Sequence, residues 1–393
     1  MSRRRVGAAF ALLGLAAVLA VTAGFTYTPK QKFAGTVYLG MDAALTGALS
    51  FVGVDNRQAV DAAVKDVNAH GGIKGRKLVV DVVDDGSNPS QGVINVQKFL
   101  NDPKYLGIIG SGFSSVGLAA EPLAAQAHVP YISMAASAAQ VTPARPYVYM
   151  TTATSRLFAY AMARYLRKLK VTRVALIGDN GGFGREGTTN VEQLAKAFGF
   201  TIVDKEIFPL TETSFTAELS KIKGSGAQVL WIWNATALSV TIVKEAKQLQ
   251  LPQRLVLSGG NASPLFLGPA CPEENGALID TYLGNVYKFL PKSNPSRAEA
   301  AKVTKLLGHA PSTFNLDGYT GVSMFKTAMI KGGFSREGIN TALEKKMRGF
   351  VGPGGKYFYS SVNHAGLQVA SMIVSRLGAC QMQPVFGAAI GKK

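Results

Sequence analysis

The chain has 393 residues, 47% of them hydrophobic and 17% charged, a balance that builds folded cores and excludes a disordered linker or tail. That length suits two domains of ordinary size. The formal charge of +18 favours anionic partners through long-range steering, but lysine and arginine are scattered along the chain rather than gathered into a stripe, which argues against a nucleic-acid partner.

The first residues, "MSRRRVGAAFALLGLAAVLAVTAGF", place three arginines before an apolar run from Val6 to Val21 that ends in Val21-Thr22-Ala23. This is the layout of a secretory signal, predicted here as residues 1–23 with cleavage after Ala23. The run falls short of the ~20 residues a spanning helix needs, and no later segment reaches that length without charge. Cys271 and Cys380 are the only cysteines, and neither follows the apolar run, so a lipid-accepting cysteine is missing and a soluble mature chain is expected. In an oxidising compartment the two could pair across a long loop; the sequence equally allows two free buried thiols.

After Phe33 short apolar runs alternate with segments of helical period, the mark of a parallel sheet wrapped by helices. "TVYLGMD" reads as the first strand, and Val60, Ala63, Val64 and Val67 form a helix stripe closed by "HGG". "KLVVDVVDD" (strand), "VINVQKFL" (helix), "LGIIGS" (strand), an alanine-rich helix and "PYISMA" (strand) continue the first series. A second starts after "YVYMTTATS", with a helix carrying Phe158, Met162, Tyr165, Leu166 and Leu169, then "RVALIGD", a helix with Val191, Leu194 and Phe198, "TIVDKEIFP", "AQVLWIWN", a helix through Val243, and "RLVLSGG". Beyond Pro264 the rhythm changes to a proline-containing loop, the strand-like "ALIDTYLGNVY" and two or three further helices. The tail "GKYFYSSVNHAGLQVASMIVSRL" reads as two strands around a turn at Asn363 to Gly366. A chain that returns late to helices and strands crosses between its two lobes more than once.

Ligands of such lobes lie at the carboxyl ends of the strands, where loops meet helix N-termini. "IGSGFSS", residues 109–115, occupies that position and suits a phosphate, an attacked bond or a small carboxylate. A phosphate loop would need GxxxxGK[ST], yet no lysine lies between Gly110 and Pro122. A nucleophile elbow would need GxSxG and a histidine base, whereas Gly112-Phe113-Ser114-Ser115-Val116-Gly117 is one residue too long. Of the four histidines, His70, His128, His309 and His364, the first two and His364 sit where surface or capping residues sit; no pair has metal spacing, and two distant cysteines make no zinc site. Neither catalysis, a metal nor a cofactor is therefore expected. Trp231 and Trp233 share one face of a strand, Trp231 as core and Trp233 nearer the ligand end.

The run "AVDAAVKDVNAHGGIKGRKLVVDVVDDGSNPSQGVINVQKFLND", with "IIGSGFSS", "VPYISMAASAAQVT", "PYVYMTT", "RVALIGDNGGFGREG" and "SVNHAGL", resembles the leucine/isoleucine/valine-binding family of periplasmic solute-binding proteins over nearly the whole mature chain. The resemblance implies an α/β fold of two doubly wound parallel-sheet lobes joined by three crossing strands, the type I arrangement. Residues 34–152 and 286–356 would form the first lobe, and 153–285 and 357–393 the second. It also implies a monomer in the periplasm that closes on one solute and presents it to an inner-membrane ABC permease. By position, Ser114 matches the serine that receives the ligand's carboxylate, Ala135 the residue offering backbone, and Ser137 a frequent threonine. Phe183, and Trp233 or Asn234, fall where the family has tyrosines, and Phe51 is expected as an apolar wall. The family's acid for a ligand ammonium is replaced by Gly260 and Asn261. Either Asp179 or Asp42 then supplies that charge, or the solute is a hydrophobic carboxylate without an amine, an aromatic or keto acid, which this departure favours over branched-chain amino acids. A clamshell feeding a membrane sensor, or an exported serine hydrolase, would be the rival functions.

Overall fold

Five parallel strands form the first sheet: β1 (Gly35–Ala43), β2 (Arg76–Asp84), β3 (Tyr105–Ile109), β4 (Tyr131–Ser133) and β5 (Val148–Met150), in the order β2-β1-β3-β4-β5. Helices α1 (Ser50–Ala69), α2 (Pro89–Leu100) and α3 (Ser114–Gln126) connect them. In α1, Val52, Ala59, Val60, Ala63 and Val67 are buried, the one-sided spacing of a helix laid on a core. Asn88 starts α2 by accepting the Ser90 N–H at 2.9 Å, with Pro89 at the first helical position. These are features of a computed structural model that describes residues 33–387, all in one compact unit beginning at Phe33. The expected signal peptide lies outside the described residues.

The chain then builds a second sheet. Helix α4 (Ser155–Lys168) leads to β6 (Arg173–Asp179), α5 (Gly182–Phe198), β7 (Thr201–Phe208), α6 (Thr216–Gly224), β8 (Val229–Trp233), α7 (Leu238–Gln248), β9 (Arg254–Leu257), the short α8 (Pro264–Ala270) and β10 (Leu278–Tyr282). Strand β8, "VLWIW", is buried at every residue. Trp231 and Trp233 pack into one cluster while Leu230 and Ile232 pack into another, as a strand covered on both faces requires.

After β10 the chain goes back to the first sheet as α9 (Pro295–Leu307), α10 (Thr313–Gly332) and α11 (Arg336–Lys346), followed by β11 (Phe350–Val351) and β12 (Lys356–Tyr357). A reciprocal cap starts α10: Ser312 Oγ accepts the Asn315 N–H at 3.0 Å, and Asn315 Oδ1 accepts the Ser312 N–H at 2.9 Å. Helix α10 lies against α1 so closely that a Cβ on Gly318 would stand 2.5 Å from the Asn56 carbonyl oxygen; only glycine permits that approach. Two side chains lock the contact, Asn56 donating to the Phe314 carbonyl at 2.8 Å and Asn315 to the Asp55 carbonyl at 2.7 Å.

The last strands, β13 (Met372–Gly378) and β14 (Gln381–Phe386), are antiparallel additions to the second sheet, whose order is β14-β13-β10-β9-β8-β6-β7. The polypeptide thus crosses between sheets three times: after β5, after β10 and after β12. The first two crossings are tied by Tyr282, whose Oη accepts the Ala153 N–H at 2.8 Å and pairs with Thr152 Oγ1 at 2.6 Å.

Several local expectations are corrected. The tail hairpin turns at Ala379 and Cys380, not at Asn363–Gly366, where only isolated bridges pair the chain. Pro384 disguises the final strand, and it is tolerated because β14 is an edge. The proline-containing loop starts with α8, which Ser263 caps by accepting the Leu265 N–H at 3.2 Å. His364 is buried rather than superficial, stacked on Tyr149 with ring centroids 4.4 Å apart. Cys271 and Cys380 form a disulfide.

Candidate functional site

A cleft lies where the carboxyl ends of both parallel sheets meet. On the first-sheet side β3 runs through Gly110–Phe113 into α3, and Ser111 Oγ braces the bend by accepting the Phe113 N–H at 3.2 Å. Ser114 is thereby the first helical residue, beside N–H groups that α3 cannot satisfy internally and at the positive end of its dipole. Helix α5 starts directly opposite at Gly182, whose N–H donates to Ser115 Oγ at 3.0 Å. Two helix N-termini thus converge on one space, which favours an anion there.

The lining is mostly apolar, with Val52, Phe113 and Phe314 on one side and Phe183, Leu210 and Ala235 on the other. Its polar members are Ser114, Thr152, Asp179, Thr236 and Thr313, and Asp179 is the one ionisable side chain among the described residues that line it. Asp179 ends β6 and is 4% exposed. Its Oδ1 accepts the Gly181 N–H at 2.8 Å and its Oδ2 accepts from Asn234 Nδ2 at 3.0 Å. Burial pushes its carboxyl up to about 6, against the opposing pull of those hydrogen bonds. Asp42, the other acid considered, is away from the lining: it is fully buried behind α2, accepts from Asn95 at 2.8 Å, and is pushed up to about 8 by burial and by Asp85.

The residues expected from sequence separate into those that line the cleft and those that surround it. Ser114, 2% exposed, and Phe183 line it. Trp233 stands behind Phe183, ring centroids 5.3 Å apart, and is wholly buried. Gly187 leaves room for that indole, since a Cβ there would lie 1.9 Å from it. Asn234 orients Asp179, while its own Oδ1 accepts the Thr236 N–H at 2.8 Å. Asn261 supports the same loop by donating to the Asn234 carbonyl at 2.9 Å. Phe51 packs edge-on against Phe314 at 5.8 Å, outside the lining. The Ala135 backbone is occupied: its N–H donates to Ser133 Oγ and its carbonyl accepts from Gln140 Nε2, each at 3.1 Å. Ser137 donates its hydroxyl across the cleft to Glu186 on α5, whose other carboxylate oxygen accepts the Ala138 N–H at 2.8 Å.

Sequence reasoning missed Phe314, Thr313 and Thr236. The first two arrive on α10 after a crossing with no local signal; Thr236 follows β8 by three residues, the expected place for a ligand loop. A further bond crosses the cleft where Ser263 Oγ donates to Asp55 Oδ2 at 2.9 Å. The lobes are therefore bonded to each other across the cleft, leaving a cavity of about 40 Å³ between them, a few water-sized positions. Entry of a leucine-sized or aromatic solute requires them to part.

Two doubly wound lobes that face each other across an apolar cleft are the architecture of a clamshell binding protein. The family model described as periplasmic binding protein matches residues 36–378. Leu/Ile/Val-binding protein homolog 1 of Brucella suis biovar 1 is 24% identical over 313 residues, 79% of this chain and 82% of that protein. Leu/Ile/Val-binding protein BraC3 of Rhizobium johnstonii is 23% identical over 312 residues, 78% and 83% of the two chains. Among solved structures, an extracellular ligand-binding receptor from Rhodopseudomonas palustris HaA2 aligns with a TM-score of 0.83 at 21% identity, covering 89% of this chain and 99% of that one. The leucine binding protein LivK of Thermotoga maritima aligns with a TM-score of 0.80 at 18% identity, covering 89% and 98%; both likenesses concern the fold. The chain belongs to the periplasmic binding protein family. No helix among the described residues is long and apolar enough to cross a membrane.

Proposed function

We propose that this chain is the solute-capturing component of an ABC importer, a soluble periplasmic monomer that closes on one small hydrophobic amino acid and presents it to an inner-membrane permease. The lobe built on the first sheet and the lobe built on the second move as two bodies about the three crossings. The observation that carries the reading is Asp179, a buried carboxylate in an otherwise uncharged cavity beside the start of α3. A buried ammonium needs a counter-charge, and Asp179 supplies what Gly260 and Asn261 cannot. Gly181 and Asn234 donate to it, the Gly184 and Asp179 N–H groups also face it, and an ammonium beside it adds the charge pairing these neutral donors lack. The ligand carboxylate is held by Ser114 and the N–H groups of the first turn of α3, which need no protein cation. The phenylalanines cover its side chain, and the role requires binding without catalysis.

A second reading keeps the preference drawn from the sequence, an aromatic or keto acid without an amine. It is favoured by the same raised Asp179 carboxyl, which when protonated can donate to a ketone oxygen. Matched titrations decide, comparing phenylalanine with phenylpyruvate and leucine with 4-methyl-2-oxopentanoate while following tryptophan emission above neutral pH. The amino acids are expected to bind tighter; tighter binding of both keto acids would establish the second reading instead.

A further inference from the structure

The opposite end of the second sheet holds a group that solute capture does not use. Glu274, in the turn after α8, is fully buried, and neither of its carboxylate oxygens has a hydrogen-bond partner. One of those oxygens lies within 4.8 Å of both Cys271 Sγ and Cys380 Sγ, the two sulfurs of the disulfide. Cys380 is exposed in the turn between β13 and β14, and Cys271 is half-exposed. Burying an unpaired carboxylate is costly unless it takes a proton, and both burial and the neighbouring Glu273 push this carboxyl above its ordinary range. Glu273 and Glu274 share a cavity of about 610 Å³ with Lys247, Arg254 and Arg376. Packing alone would be served by an apolar side chain or by an amide.

We propose that Cys271–Cys380 is a thiol-exchange site, with Glu274 as the proton donor to the sulfur that leaves. The co-reactant is a dithiol. Its thiolate, drawn by the cationic cavity rim, attacks the exposed Cys380 Sγ; the Sγ–Sγ bond breaks, and its electron pair goes to Cys271 Sγ, which takes the Glu274 proton. The reductant's second thiol, as thiolate, then attacks its own sulfur in the mixed disulfide. Cys380 leaves and is protonated from water, and the reductant departs as a cyclic disulfide. Two electrons have passed to the protein, and the β13–β14 turn is freed from the turn after α8.

The test treats the full chain with dithiothreitol under native conditions and counts thiols by maleimide mass tagging. Reduction is expected without unfolding, and Glu274→Gln, which keeps the side chain's shape and is compared at matched melting temperature, should slow it at least about tenfold at equal thiolate concentration, as loss of a general acid does. In the wild type the rate per thiolate should fall with rising pH as Glu274 ionises, and in the variant it should stay flat. Removing a mere negative charge beside the sulfurs would instead speed thiolate attack. A variant reduced as fast as the wild type or faster, or a flat wild-type profile, which needs no variant, would overturn the proposal.

Discussion

Glu186 on α5 accepts the Ala138 N–H from the other side of the cleft at 2.8 Å, and its second oxygen takes the Ser137 hydroxyl. Neither partner lines the cavity, so the pair holds the lobes shut without touching the solute. Glu186→Ala removes two charge-assisted bonds, each worth roughly 1.5 to 3 kcal/mol. The expected result is a loss of about two to four decades in affinity, carried by faster release with a nearly unchanged association rate. Stopped-flow tryptophan fluorescence separates the two; a change confined to the association rate would contradict a closing role.

Ser114 is the single hydroxyl at the start of α3 that lines the cleft. Ser114→Ala should weaken solute binding by about one to two decades while leaving the melting temperature of the free chain within a few degrees, since one hydrogen bond to a charged group is lost. Isothermal titration calorimetry and thermal melting check the two halves, and a loss under threefold would reduce Ser114 to a helix-starting residue.

The raised carboxyl of Asp179 gives binding a signed pH dependence. Between neutrality and about 6 the group is mostly ionised, and below about 6 it takes a proton. An amino acid, whose ammonium needs the anion, should therefore bind up to about tenfold more weakly for each pH unit below that point, whereas a keto acid should not weaken. Asp179→Asn should abolish the difference. Titrations of leucine and 4-methyl-2-oxopentanoate at mildly acidic and mildly alkaline pH measure both.

Stability should also respond to pH. Asp42 is raised to about 8, Glu121 to about 7 and Asp179 to about 6, in each case chiefly by burial. Each group binds its proton more tightly folded than unfolded, so acidification from about 8 towards 5 favours the folded chain. The melting temperature of the solute-free chain is expected to rise by several degrees over that interval. A fall would mean that these carboxyls remain charged inside the protein.

What the sequence disclosed and what it hid follow from distance along the chain. Ser114 was legible because strand, glycine turn and helix are contiguous. Phe183 was legible because it opens the helix after β6. The role of Ser137 was hidden because its partner lies 49 residues on, in another lobe. Trp233 was half legible: strand alternation gave its face, but not the Phe183 ring that stands between it and the cavity. Phe314 could not be read at all, because only the second crossing brings α10 over the cleft. Asp179 showed as the end of a strand, yet its position in the lining depends on how two sheets meet.

The joining of α1 to α10 bears on how the chain acquires its shape. Asn315 reaches Asp55 across 260 positions, and until it does, the apolar stripe of α1 lacks one of its covering surfaces. A chain emerging from a ribosome or threading a membrane channel therefore cannot complete its first-sheet lobe from the residues at hand. The α1–α10 contact closes a long loop, the kind of pairing that costs most chain entropy to form. The cover of α1 is complete only once α10, residues 313–332, has been delivered.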